Sequence, residues 1–291
     1  AMNLITALVI FTGLALIGMP KIIDNQFTVQ SDTIPVSSEI LVANVTAGSP
    51  AAKAGIEPLD QITALQIPGY SPVAITSADK LPQITKQFAG QTADIYYVRD
   101  GSENKSRTKL LTAQQVEASK KTDNPKGYLG IVPTEYVVQK STWSAPIVAV
   151  GFTAQVTALT FQGLGNALAG LGSLIVGGVT GNNEARQNGQ TAASEQVSGP
   201  VGIFVILKDG SLLGVQFVLM IIGIISLTLA IMNILPIPAL DGGRLWLLLY
   251  YRLVRKKPLP AKREDAINSV GFLILIGLII LITFVDVQRF F

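Results

Sequence analysis

Long hydrophobic runs alternate with polar segments along the chain, and this pattern predicts membrane helices around a water-soluble module. Residues 1–20, 211–240 and 266–285 contain no charged side chain. Each run reaches the roughly 20 residues that a helix needs to cross a hydrocarbon core of about 30 Å. A signal peptide fits the first run poorly because neither a basic n-region nor a small-residue cleavage site accompanies it. The pattern therefore predicts three transmembrane units, at 1–23, 211–251 and 266–286.

A fourth uncharged run, at residues 141–183, has a different composition. It contains eight glycines and several amide side chains such as Gln155, which dilute its hydrophobicity. Two structures fit this run: a membrane-crossing helix over 145–175, or an amphipathic or membrane-associated helical region over 141–180 that lies at the interface. We expect the second.

A cluster of basic side chains between the second and third predicted spans indicates the orientation of the chain. The positive-inside rule places their loop, residues 252–265, in the cytoplasm. If 145–175 does not cross the membrane, residue 1 starts inside and residues 21–210 are external. If 145–175 does cross, residues 21–140 lie in the cytoplasm instead. The six basic residues are Arg252, Arg255, Lys256, Lys257, Lys262 and Arg263.

The segment after the first predicted span has the character of a soluble module. Residues 38–112 carry seven acidic and seven basic side chains, and short runs of β-branched and aromatic residues alternate with turn signals. The expected fold class is a polytopic α-helical membrane protein with an inserted small α/β domain, followed by a polar loop at 181–210. The expected local elements are strands at 39–45, 59–65 and 93–99, a turn and short helix at 48–55, and a hairpin at Asp100–Gly101.

Two residue types are absent from the sequence, and their absence excludes several kinds of chemistry. The chain has no histidine, so it cannot by itself form a histidine general base, a Ser-His triad or a histidine-ligated metal site. It has no cysteine either, which excludes disulfides and thiolate nucleophiles. The net charge of +3 is small and no basic stripe with interleaved aromatic residues is present, so we expect no nucleic-acid partner.

The segment that carries candidate chemistry lies at the end of the second predicted span and runs N-I-L-P-I-P-A-L-D-G-G-R, from Asn233 to Arg244. An aspartate at membrane depth is costly and indicates a functional site. The two prolines break the helix before it. Two interpretations of Asp241 remain open at this point: it is a functional carboxylate, or it caps the following helix, expected at 245–250.

The soluble module resembles a PDZ domain. The string V-x-x-G-S-P-A-A-K-A-G-I-x-x-L-D-Q-I is similar to the centre of that domain, with Leu59 at a position where the family usually has glycine. A second string, Tyr128-Leu129-Gly130-Ile131, resembles the family's peptide-binding loop but follows the other elements, as in the circularly permuted PDZ domains of bacterial membrane proteases. The resemblance implies a domain at 38–133 that binds peptide C-termini by strand addition. The alternative is a tether without a ligand of its own.

The whole N-x-L-P-x-P-x-L-D-G-G string resembles the second signature of the site-2 protease family (peptidase family M50) of intramembrane zinc metalloproteases. The S-G-P-V-G string at 198–202 matches an element of the regulator of sigma-E protease branch. This resemblance covers residues 3–286. It implies that Asp241 is the third zinc ligand and that Asn233 supports the active site. The residues that it implies bind the unwound substrate are Asn233, Pro236 and Pro238.

The resemblance also implies groups that these residues do not contain. The family takes two histidine ligands and a glutamate base from an HExxH helix in an earlier span, and a single carboxylate cannot hold catalytic zinc. The sequence opens on Ala1-Met2-Asn3, which resembles the tail of a G-P-x-x-N element. We therefore expect a chain that lacks its family's N-terminal span, and that neither binds zinc nor cuts substrates alone.

The expected function is that of the C-terminal part of a zinc-dependent intramembrane endopeptidase, with the PDZ module gating or selecting substrates. The implied partners are membrane proteins with a transmembrane segment, peptide C-termini at the PDZ module, and the lipid bilayer. The implied location is a bacterial-type inner membrane, which the chain crosses several times with the PDZ module on the external face. The alternative is an inactive pseudoprotease that binds membrane partners.

Overall fold

The computed structural model describes residues 2–122, 125–180, 200–256 and 260–290. These residues form two compact units. The helical unit is drawn from Ala1–Ile17, Asn25–Asp32 and Ser141–Phe291, and the sheet unit from Gly18–Asp24 and Thr33–Lys140.

In the described residues, all seven strands lie between the first and fifth helices of the chain. The helices and strands are, in chain order, α1 (Met2–Ile17), β1 (Met19–Pro20), β2 (Ile34–Val45), α2 (Pro50–Lys53), β3 (Gln61–Gln66), β4 (Val73–Ala74), α3 (Lys80–Gln87), β5 (Thr92–Arg99), β6 (Ser102–Lys109), α4 (Ala113–Ser119), β7 (Ile131–Lys140), α5 (Ala145–Thr180), α6 (Pro200–Gly210), a 3-10 turn (Ser211–Leu213), α7 (Val215–Met232), α8 (Asp241–Tyr250), a π-helical turn (Tyr251–Arg255) and α9 (Ala261–Phe290).

The core of the helical unit lies where α1 packs against α5 and α7. The Phe11 ring meets the Phe152 ring edge to face, with centroids 4.9 Å apart. Gly223 leaves room for the same ring, because a Cβ there would lie 2.5 Å from it. The other large buried side chains of this contact are Leu14, Val148, Met220 and Leu227.

Within the part of the chain that the structure describes, three helical stretches are long and apolar enough to cross a membrane, judged by length and composition: Ala145–Gly170, Val215–Met232 and Lys262–Phe284. Helix α1 is also apolar but has only 16 residues, a length of about 24 Å. Ala145–Gly170 meets these criteria as the other two stretches do. Length and composition therefore do not separate it from them, and the expectation that 145–175 stays out of the bilayer remains a prediction.

Two expectations for the helical unit need correction. The uncharged run at 211–240 is not one helix, because α7 ends at Met232, ahead of the two prolines. The segment 200–210, expected in a polar loop, forms helix α6, since Pro200 suits a first helical turn and an apolar run follows it. The rest of that loop, residues 181–199, lies outside the described residues, as do Ser198 and Gly199 of the S-G-P-V-G string.

The sheet unit is built on an antiparallel sheet with strand order β1-β7-β2-β3-β5-β6, and β4 pairs with β3. The expected strands and short helix correspond to β2, β3, β5 and α2. The hairpin at Asp100–Gly101 is confirmed: both residues have positive φ, at 51° and 74°, as a two-residue hairpin turn requires. The unit is larger than the expected 38–133, because β1 joins β7 and the long β2·β7 pair runs from Ile34 to Lys140.

Candidate functional site

The polypeptide between α7 and α8 leaves the helical conformation at Asn233, the C-cap of α7. The N–H groups of Ile234 and Leu235 still donate to carbonyls three residues back. Pro236 and Pro238 have no N–H to donate, so the helical ladder cannot continue. Ala239 then adopts a positive φ of 78°, which turns the chain into α8.

The start of α8 packs backbone against backbone on this broken segment. A Cβ on Gly242 would lie 2.5 Å from the Leu235 carbonyl oxygen, and a Cβ on Gly243 would overlap the Ile237 carbonyl. The Trp246 indole N–H donates to the Ile234 carbonyl at 2.9 Å. Glycine is therefore required at both positions of the G-G pair that follows Asp241.

Asp241 is the first residue of α8, and Leu240 occupies the N-cap position before it. Asp241 is therefore not the N-cap residue, but its acidic side chain lies in the first turn, where a negative charge favours the helix dipole. Asp241 also lines an open-sided cavity of about 590 Å³. The cavity walls are Ala239, Leu240, Asp241 and Arg244 on one side and Asn268, Ser269, Phe272 and Leu273 of α9 on the other.

Of the residues predicted for the site, only Asp241 lines this cavity. Asn233 lies at the end of α7, where its carbonyl oxygen would be 2.6 Å from a Cβ on Gly242, the neighbour of Asp241. Pro238 contacts α9, since a Cβ on Gly271 would lie 2.5 Å from Pro238 Cβ. Pro236 makes neither contact among the described interactions.

Sequence reasoning missed the α9 wall of the cavity. A signal for it was present, because Asn268 and Ser269 are adjacent polar residues inside the otherwise apolar run at 266–285, and polar residues within a span indicate function. Arg244 and Glu264 fix this wall to α8 through an ion pair of 2.6 Å. The Glu264 side chain is only 17% exposed.

The donor set of this chain alone does not fit a catalytic zinc ion. No group of three or more histidine, cysteine, aspartate or glutamate residues suited to a metal occurs among the described residues, and the sequence contains no histidine or cysteine. Catalytic zinc takes three protein ligands and a water. Asp241 can supply one carboxylate, and the described residues bring no set of further ligands to it.

The loop Tyr128–Ile131 is held by its carbonyl groups. The Tyr128, Leu129 and Gly130 carbonyls accept hydrogen bonds of 2.9–3.0 Å from the N–H groups of Leu111, Ala51 and Thr46, respectively. No hydrogen bond described for this part of the chain uses the N–H of Leu129 or Gly130. Gly130 has a φ of 80°, and a Cβ on it would overlap Ser49. The loop thus needs glycine, and the N–H groups of the buried residues Leu129 and Gly130 have no described partner.

Among the described residues, most of the strand that follows this loop has an open edge. Strand β1 pairs with the far end of β7, where Met19 faces Gln139 and Pro20 faces Val138, and the Lys21 N–H donates to the Val137 carbonyl. Successive residues of a strand direct their backbone groups alternately to the two neighbouring strands, and the Gly130 carbonyl bonds on the β2 side. The backbone N–H and C=O groups therefore point away from β2, toward the open edge, at Ile131 and Glu135, as does the carbonyl of Pro133.

Comparisons with known proteins relate the whole chain to one family. The model of peptidase family M50 matches residues 1–278. Zinc metalloprotease RasP of Shouchella clausii is 30% identical over 100% of this chain and 57% of its own length. A relative in Staphylococcus aureus, also named as a zinc metalloprotease, is 29% identical over 99% of this chain and 58% of its own length. The chain thus spans somewhat more than half the length of these relatives.

A solved structure also aligns with part of the chain. The PDZ domain of the SdrC-like protein from Listeria monocytogenes aligns with 33% of this chain and 87% of its own, at 23% identity and a TM-score of 0.24. The family assignment rests on the sequence match instead, which extends through the segment that carries Asp241 and most of α9. On that evidence, the chain belongs to peptidase family M50.

Proposed function

We propose that the protein to which these residues belong is an intramembrane zinc endopeptidase, and that Asp241 contributes one carboxylate ligand to its metal. The observation that carries the proposal is the position of this carboxylate. It follows a proline-broken helix, is not the N-cap of α8 and belongs to a residue that lines an open-sided cavity. The zinc metalloprotease names of the relatives support the same chemistry. In the proposal, the remaining ligands and the general base come from residues other than those that the structure describes.

The proposed substrates are membrane proteins with a transmembrane segment. A substrate helix has to unwind before a peptide bond can reach a metal-bound water, because its carbonyl groups are otherwise bonded within the helix. The segment from Asn233 to Leu240 is itself non-helical and adjoins the cavity. In the proposal, Asn233, Pro236 and Pro238 hold the unwound substrate there, while α1, α7 and α9 cross the inner membrane.

We further propose that the sheet unit is a circularly permuted PDZ domain on the external face that selects substrates by their C-termini. The late strand β7 pairs with the early strand β2, as permutation requires. The N–H groups of Leu129 and Gly130, which have no described partner, suit a peptide carboxylate, and the edge of β7 that no described strand covers suits strand addition. These features would serve a catalytic protein and a non-catalytic membrane-binding protein equally well.

Zinc content and cleavage test the proposal together. The natural full-length protein, purified in detergent, should contain about one zinc per molecule and should cut a model transmembrane substrate. Asp241→Asn keeps the shape of the side chain but removes its charge, so it should abolish cleavage and lower the zinc content. Asp265→Asn, an exposed carboxylate on α9, is the matched control and should change neither.

Two results would contradict this function. Normal cleavage by Asp241→Asn would remove Asp241 from the metal site. Absence of zinc from the natural full-length protein, with peptide binding retained at the sheet unit, would instead favour a non-catalytic membrane protein that binds partners through the open edge of β7.

A further inference from the structure

Helix α8 continues into an exposed π-helical turn that combines apolar and basic side chains. Leu253 and Val254 in this turn are 68% and 66% exposed. Among the described residues, α8 itself is the element against which the turn packs closely. The segment 252–256 is named the basic turn after its three exposed cations, which are Arg252, Arg255 and Lys256.

The positive charge of the basic turn is not balanced by nearby acidic residues. From Gly242 to Arg263 the sequence contains seven basic residues and no acidic one. Glu264 follows this stretch but pairs with Arg244, and no ion pair in the described part of the chain involves the basic turn. The C-terminal end of a helix favours cations, but its dipole amounts to only about half a negative charge. Three cations therefore exceed what α8 can balance.

Aromatic side chains at the end of α8 add a second feature of this surface. The Tyr250 and Tyr251 rings meet edge to face, with centroids 5.9 Å apart. Trp246, one turn earlier, remains half exposed although its indole N–H is fixed to the Ile234 carbonyl. Tryptophan and tyrosine are enriched where a bilayer meets water. The apolar stretch Lys262–Phe284, long enough to cross a membrane, follows shortly after the basic turn.

The partner of this surface has to offer negative charge and hydrocarbon together. A water-soluble acidic protein would neutralise the cations but would leave Leu253 and Val254 in water. An apolar helix would cover these two side chains but would remove the cations from water without pairing them, which is costly. An anionic bilayer surface meets both requirements, and basic clusters beside membrane spans bind such surfaces. The long side chains of arginine and lysine can reach the headgroups while neighbouring apolar residues lie deeper.

We propose that the basic turn binds anionic phospholipid headgroups, with Leu253 and Val254 inserted among the acyl chains beneath them. Arg252 and Arg255 donate to phosphate oxygens, for which the guanidinium group has a matching geometry. Because α8 begins at Asp241, these contacts fix the far end of the helix that carries this carboxylate. The inference does not depend on the endopeptidase function, because it concerns a lipid rather than the metal or the substrate.

The experiment measures lipid binding to the natural full-length protein in a non-ionic detergent. Dioleoylphosphatidylglycerol or dioleoylphosphatidylcholine is titrated, and bound lipid is counted by native mass spectrometry. A basic residue near an anionic surface contributes about fivefold in affinity, so the Kd for the anionic lipid should be lower by at least about fivefold. Combined Arg252→Gln, Arg255→Gln and Lys256→Gln should remove this preference. Combined Arg252→Lys and Arg255→Lys retain the charges and should preserve most of it.

The matched control removes three exposed cations from the sheet unit by combining Lys53→Gln, Lys86→Gln and Lys109→Gln. It lowers the net charge by the same amount and should leave the lipid preference unchanged. Inorganic phosphate has the charge of a headgroup but no acyl chains, so it should not displace the lipid.

A second measurement tests the apolar half of the surface in nanodiscs that contain phosphatidylglycerol. Leu253→Cys, in a background otherwise free of cysteine, is labelled with bimane. Lipids with brominated acyl chains should quench this label, because the proposal places residue 253 among the chains.

Four results would overturn the inference. Equal Kd values for the two lipids in the wild-type protein, or a preference that survives the three glutamine substitutions, would show that the basic turn does not select anionic lipid. Displacement by inorganic phosphate would indicate a site for the free ion. A label that brominated lipids do not quench would show that another part of the protein covers Leu253. Failure of the proposed function is a separate result, namely normal cleavage by Asp241→Asn.

Discussion

Gly271 of α9 lies directly against Pro238 of the motif. A Cβ added to Gly271 would be 2.5 Å from Pro238 Cβ and 2.9 Å from its carbonyl oxygen. The last helix therefore sets the position of the non-helical segment that precedes Asp241. The cavity wall formed by Asn268 and Ser269 depends on the same contact.

Gly271→Ala should push α9 away from the motif. We expect a loss of about 1–3 kcal/mol in the free energy of unfolding, as for other overpacked sites, together with weaker cleavage in the natural full-length protein. Gly277→Ala on the same helix meets no atom within 4 Å and should be neutral or stabilising, since alanine favours helix. Thermal unfolding in detergent measures both. Equal stability of the two variants would contradict the close contact.

The local elements of the sheet unit could be predicted from the sequence because their signals are local. Asp100–Gly101 sits between two strand-like runs, and Ser49-Pro50 opens a short helix, so each needs only a few neighbouring residues. The pairing of β7 with β2 joins residues about 100 positions apart, and no local pattern specifies it. A motif resemblance indicated that order, whereas periodicity alone did not.

The candidate site was predictable only in part for a similar physical reason. The prolines and Asp241 lie within one short segment, so both the helix break and the carboxylate after it could be predicted from the sequence. The opposite wall comes from α9, and its contact depends on Gly271, which resembles any other glycine of an apolar helix. At Leu59 the sequence showed a departure from the PDZ pattern, which usually has glycine there, but gave no reason for that glycine. The structure supplies the reason, because residue 59 has a φ of 71°.

Leu59→Gly should relieve backbone strain next to β3. A left-handed conformation costs a residue with a Cβ about 1–2 kcal/mol, and glycine loses roughly 0.5–1 kcal/mol through its more flexible unfolded chain. We therefore expect the glycine variant to be about 0.5–1 kcal/mol more stable than Leu59→Ala, which keeps the strain. Thermal unfolding of the two variants measures this difference. A glycine variant no more stable than the alanine variant would show that Leu59 is unstrained.

Asp94 should make the sheet unit sensitive to acid. Hydrogen bonds from Arg107 and Lys105 hold the pKa of the Asp94 carboxyl well below its usual range, against the opposing effect of burial. A lowered folded-state pKa contributes stability above the unfolded pKa near 4 and loses it as the pH falls toward the folded value.

Hydrogen exchange of the β5 and β6 amides in the whole chain should therefore accelerate as the pH falls below about 4, after correction for intrinsic exchange rates. Asp94→Asn should weaken protection at pH 7 and flatten its dependence on pH. Asp100→Asn, in the exposed hairpin turn, is the control. If Asp94→Asn kept the wild-type acid response, another carboxylate would be responsible.

Pro133 limits what a peptide can bind at the open edge of β7. Its backbone faces that edge but has no N–H, so a peptide added there lacks one hydrogen bond of the ladder. Pro133→Val restores the donor and should lower the Kd of a bound peptide by about twofold to tenfold, the range for one hydrogen bond. The change also makes the edge easier for a second chain to pair with, so monodispersity has to be checked.

The measurement uses a fluorescent C-terminal peptide selected by display against the wild-type protein, with fluorescence anisotropy as the readout. Thr134→Val is the matched control, because the N–H of residue 134 faces β2 and takes no part in the open edge. An amidated version of the peptide should bind more weakly if its carboxylate occupies the loop at Leu129 and Gly130. If Pro133→Val and wild type bound the free-carboxylate peptide equally, the peptide would not extend the sheet along β7, and the strand-addition proposal would fail.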